Sequence, residues 1–113
     1  MGIDITIYDV PFVEGAERDY DHELFSDNIT HNLIPIWKKL GILDVLYEPP
    51  LGGTPGQLAP PLEDALSRLR NEPERFRKLQ HSTWGRYEDA LRFLENVAVA
   101  YRKHPNGHIS ISR

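Results

Sequence analysis

Cysteine is absent from all 113 residues. That excludes disulfides, thiolate nucleophiles and zinc–thiolate centres. Long apolar runs are missing too. The longest, Val97 to Tyr101, falls far short of the roughly 20 residues a membrane-spanning helix needs. No charged-then-apolar leader opens the chain, so the reading is of a cytoplasmic protein with no membrane partner. Basic charge is in deficit: 13 Lys and Arg stand against 17 Asp and Glu, for a net charge of −4. A nucleic-acid partner is therefore not expected, since backbone binders usually carry a basic excess. What the chain does have is 40% apolar and 27% charged residues, a globular composition. At this length one domain, residues 1–113, can bury about two-thirds of its unfolded surface.

Hydrophobic periodicity divides that domain. Ile3, Ile5 and Ile7 alternate with Asp4, Thr6 and Tyr8, the mark of a half-buried strand. Ile109 and Ile111 alternate with Ser110 and Ser112 and predict a closing strand. Neither strand is stable alone. Between them, Leu33, Ile36, Trp37 and Leu40 follow helical spacing, with Thr30 or Asn32 as cap and Gly41 as stop. Ile42 to Tyr47 predicts a second short turn. Leu62, Ala65, Leu66 and Leu69 form one helical stripe opened by Pro61, and Phe76 and Leu79 mark another short helix. The best-specified element runs from Trp84 to Lys103, with Thr83 as cap and a Glu88–Arg92 pair on its exposed side. Residues 11–27 read as an acidic loop and residues 48–61 as a Pro/Gly-rich loop. The fold class that follows is α+β and mostly helical. The N- and C-terminal strands pair in a small sheet, covered on one face by three to four helices.

No catalytic constellation stands out. Asp19-Tyr20-Asp21-His22-Glu23 begins like a calcium loop, but Leu24 stands where its glycine should be. His22, Glu23 and His31 could contribute to a divalent metal site, yet no His-Glu-x-x-His spacing supports one. Gly52-Gly53-Thr54-Pro55-Gly56-Gln57 lacks the lysine and the hydroxyl of a phosphate loop. No metal site and no cofactor are expected. The most unusual string is Asn28-Ile29-Thr30-His31-Asn32. At a helix start, free N–H groups favour an anion, and His31 can donate or exchange protons near neutral pH. Capping explains the same residues without a ligand. Trp84-Gly85-Arg86-Tyr87 offers an aromatic wall and a guanidinium fork, against the plainer reading of Trp84 and Tyr87 as core anchors.

These two strings, together with Pro105 and the ending Ile109-Ser110-Ile111-Ser112-Arg113, resemble a family of small uncharacterised bacterial and phage proteins. Pro35 and the segment from Pro49 to Pro61 depart from that pattern. The resemblance implies no activity and no catalytic residue. It does imply that residues 28–32 and 84–87 belong to one site. The expectation is thus a small ligand-binding domain for an anionic or nucleotide-like metabolite, contacted by Asn28, Thr30, His31, Asn32, Trp84, Arg86 and Tyr87. A protein-interaction module is the alternative, using a sheet edge, the acidic loop or the proline-rich loop, with a second copy of the chain as one partner. A metal-dependent enzyme ranks third.

Overall fold

The structure is a computed structural model describing residues 2–9, 22–50, 53–79 and 85–113. Three strands form one sheet: β1 (Gly2–Tyr8), β2 (Glu23–Thr30) and β3 (His108–Ser112). Their order is β2-β1-β3, and both flanking strands run antiparallel to β1. The two terminal strands are therefore neighbours, Ile5 facing Ile111 and Ile7 facing Ile109. Ile3, Ile5 and Ile7 have no exposed surface; each contributes about 1.5–3 kcal/mol by burial. The opposite face is polar, and there Thr6 and Ser26 share a hydroxyl hydrogen bond of 3.2 Å.

The loop expected over residues 11–27 needs correction. Residues 10–21 lie outside the described residues, but from Glu23 onward the chain is strand. Phe25, Asp27 and Ile29 share the helix-facing side, opposite Ile7, Ile5 and Ile3. Asp27 breaks the apolar alternation and hides the strand in the sequence. Its carboxylate accepts from the Asn96 side chain of the last helix, at 3.2 Å.

After β2 the chain makes a 3-10 turn, His31–Leu33, and continues as α1 (Ile34–Leu40). Thr30 caps the turn: its hydroxyl accepts from the Asn32 N–H at 3.3 Å. Pro35 falls in the first turn of α1, where its missing N–H costs nothing. Gly41 ends the helix at φ +74°, a left-handed conformation that glycine adopts without strain. The short helix α2 (Leu43–Tyr47) follows.

The Pro/Gly-rich loop expected over residues 48–61 is also shorter than its composition suggests. Helix α3 spans Pro55–Asn71. Thr54 and Gln57 form a reciprocal capping box, with bonds of 3.4 and 3.2 Å. Pro60 and Pro61 lie inside this helix rather than before it. Two backbone bonds are lost to them, and burial of Leu58, Ala59 and Leu62 around them offsets the loss.

Helix α4 (Pro73–Arg77) seats Phe76 in the core. Helix α5 (Tyr87–Lys103) packs along α3 and against β2. It begins at Tyr87, three residues later than the sequence suggests; Thr83 and Trp84 lie outside the described residues. Arg86 stands at the cap position, its N–H held by Asp89 at 3.0 Å. Phe93, Leu94, Val97, Ala98 and Tyr101 are buried, as the stripe predicts. The expected Glu88–Arg92 pair does not form. Glu88 accepts from Arg77 at 3.0 Å, and Arg92 lies 3.7 Å from Asp89.

Candidate functional site

Because β2 and β3 both run antiparallel to β1, both end beside its start: Gly2 faces Thr30 and Asp4 faces Ser112. The residues that follow them, His31 and Arg113, therefore emerge at the same end of the sheet. The α2 helix completes that end. Together they line a cleft of about 490 Å³ with Ile34, Leu43, Asp44, Tyr47 and Glu48.

Its inner wall is the His31–Tyr47 pair. The Tyr47 hydroxyl and His31 Nδ1 are hydrogen-bonded at 2.9 Å, with ring centroids 5.6 Å apart and planes tilted by 38°. The Tyr47 side chain is almost fully buried. Burial pushes its hydroxyl above the ordinary phenol range, while the positive charge of Arg113 partly opposes that shift. The hydroxyl thus stays protonated at neutral pH. Ile34 and Leu43 supply the apolar lining. At the mouth Arg113 donates to Glu48 at 3.1 Å, and both side chains remain more than half exposed. Asp44 is exposed and makes no ion pair among the described residues.

Of the residues singled out in the sequence, His31 is the only described one that lines this cleft. Asn28 lies on the exposed polar face of the sheet, opposite Asp4. Thr30 is a cap, and its partner, the Asn32 N–H, is thereby occupied. Capping thus accounts for the Thr30 hydroxyl. Tyr87 is a core residue whose hydroxyl donates to the Leu69 carbonyl at 2.6 Å and whose ring lies 4.9 Å under the Arg77 guanidinium. Arg86 is exposed outside the cleft lining, and Trp84 lies outside the described residues.

The two strings nevertheless meet. Gly85, at φ +87°, lies so close to Thr30 and Leu33 that an added Cβ would come within 2.6 Å of the Thr30 methyl. Gly85, just before α5, therefore packs against the turn that carries His31, and the described residues of this string do not line the cleft.

A shared metal site is excluded for His22 and His31. They flank opposite ends of β2 and stand roughly 25–30 Å apart along the strand. His22 instead bonds Asp9 at 2.8 Å. Among the described residues no group of three or more His, Asp or Glu could hold a metal ion, and no helix is long and apolar enough to cross a membrane.

Tyr47, Asp44, Glu48 and Arg113 had no sequence signal of their own. Tyr47 belongs to a predicted helical turn and Arg113 ends a predicted strand, but the placement of α2 and the strand directions, respectively, bring them to His31. Comparison with protein-family models, curated proteins and solved structures gives no match.

Proposed function

We propose that the protein is a small-molecule-binding domain, and that the cleft at the end of the sheet takes a ligand with an apolar body and a carboxylate. The observation that supports this most is the convergence of three elements on one concavity. The turn after β2 brings His31, α2 brings Tyr47, and the end of β3 brings Arg113. A cleft of this volume, with apolar walls and a few convergent polar groups, is the usual form of a ligand site. The planar guanidinium of Arg113 suits a carboxylate.

The charge balance narrows the ligand. Among the described lining residues, Asp44 and Glu48 stand against one arginine, Arg113. A polyanion such as a nucleotide di- or triphosphate would meet net repulsion here, so the anionic group is a single carboxylate. No catalytic role follows from the lining.

The test is a thermal-shift screen of small monocarboxylates, run on the wild type and on Arg113→Gln. Arg113 makes only an exposed ion pair, worth at most about 1 kcal/mol, so the substitution should leave the melting temperature nearly unchanged. A carboxylate at a hundredfold excess over its dissociation constant should stabilise the wild type by about 2.7 kcal/mol, and Arg113→Gln should lose most of that. Equal stabilisation of both proteins would contradict the proposal.

A second reading, association with another copy of the chain, draws on a different place. Leu24 and Val99 are the large apolar side chains most exposed among the described residues, at 39% and 59%. They flank a shallow groove between β2, an edge strand, and α5. An exposed edge strand is a template for pairing. Light scattering across a concentration series decides it: a dimer lost in Val99→Lys supports this reading, and a monomer throughout overturns it.

A further inference from the structure

We infer that the ligand of the cleft is zwitterionic, an amino-acid-like molecule whose ammonium group sits between Asp44 and Glu48 while its carboxylate takes Arg113. This inference rests on the binding reading given above and adds the positive end of the ligand. Asp44 stands in the first turn of α2 and Glu48 follows its last residue, with the Glu48 N–H donating to the Asp44 carbonyl at 2.7 Å. Both carboxylates line the one cleft, where like charges repel. Arg113 relieves one of them by pairing with Glu48. Asp44 has no such partner among the described residues, although it lines the same cleft.

The cleft therefore holds one neutralised pair and one uncompensated carboxylate. A simple carboxylate ligand would draw Arg113 away from Glu48 and leave two unpaired acids at the mouth. A simple amine would satisfy Asp44 but leave Arg113 on Glu48. A zwitterion exchanges one ion pair for three: its carboxylate replaces Glu48 on Arg113, and its ammonium replaces Arg113 beside Glu48 and reaches Asp44. The apolar middle of the ligand then lies on Ile34, Leu43 and the Tyr47 ring. The Tyr47 hydroxyl is engaged with His31, so that pair shapes the wall and leaves the charged ends to Asp44, Glu48 and Arg113.

The experiment is a calorimetric or NMR titration with matched probes: γ-aminobutyrate against butyrate, ε-aminocaproate against caproate, phenylalanine against hydrocinnamate, and butylamine as the lone cation. At least one zwitterion should bind about fivefold tighter than its matched carboxylate, the factor an ion pair of about 1 kcal/mol provides. Asp44→Asn should lower that ratio by up to about fivefold, the Glu48 contact keeping the remainder, while leaving binding of the simple carboxylate in place; an unchanged ratio overturns the role of Asp44. Asp44 is exposed and makes no ion pair among the described residues, so the variant should fold as the wild type does; its melting curve checks this. If carboxylates bind as tightly as their zwitterions, the zwitterion inference is overturned and the binding reading survives. If butylamine binds best, the carboxylate half is overturned. If no probe binds at millimolar concentration, both readings fall.

Discussion

Tyr101 shows how a single atom can set a stability profile. Its side chain is fully buried in α5, and its hydroxyl has no hydrogen-bond partner among the described residues. An unsatisfied buried polar group costs about 1–3 kcal/mol. Tyr101→Phe keeps the ring and removes the cost, so it should raise the urea midpoint; a lowered midpoint would mean that the hydroxyl is satisfied. Burial also pushes the Tyr101 hydroxyl well above its ordinary value. In that range the folded state keeps a proton that the unfolded state releases. The stabilising contribution is complete below pH about 10 and is lost as pH rises toward the folded-state value. Urea melts at pH about 9 and about 11 should show a smaller alkaline loss for Tyr101→Phe than for the wild type. Tyr47 and Tyr87 are shifted in the same direction by burial, so part of the loss should persist.

At the scale of elements, the link between the His31 turn and α5 is Gly85. Its φ of +87° is strained for any side chain, and a Cβ there would press on Thr30 and Leu33. Gly85→Ala should therefore destabilise by about 1–3 kcal/mol, as read by the urea midpoint. A midpoint within about 0.3 kcal/mol of wild type would show that the close approach carries no strain. The same elements show what a linear sequence makes legible. The β1 and β3 strands and the stripes of α3 and α5 were readable because their apolar periods are nearly unbroken. Strand β2 was not, because Asp27 occupies a helix-facing position where an apolar residue is expected. The first two turns of α3 were hidden by Pro60 and Pro61, residues whose local preference opposes a helix interior and is overridden by burial. His31 was the part of the candidate site that could be recognised locally. Its partners Tyr47 and Arg113 are 16 and 82 positions further along; the fold of α1 and α2 brings back the first, and the antiparallel directions of β2 and β3 bring the second.

For the molecule as a whole, the sheet and the helices have distinct roles. The isoleucine face of β1, the α3–α5 pair and Phe76 form one core, while the cleft sits at one end of the sheet, where two strands stop. Its charged lining residues Asp44, Glu48 and Arg113 are exposed, so ligand contacts there can be altered with little loss of fold. The most direct measurement is therefore an amide NMR map of the folded protein during titration with the tightest probe. Shifts should concentrate at residues 31–34, 43–48 and 112–113, leave the far end of the sheet around Tyr8, Glu23 and His108 unmoved, and vanish in Arg113→Gln while that variant keeps its dispersed spectrum. Shifts centred instead on Asn28, Arg86 and the start of α5, or persisting unchanged in Arg113→Gln, would contradict the assignment of the cleft as the binding site.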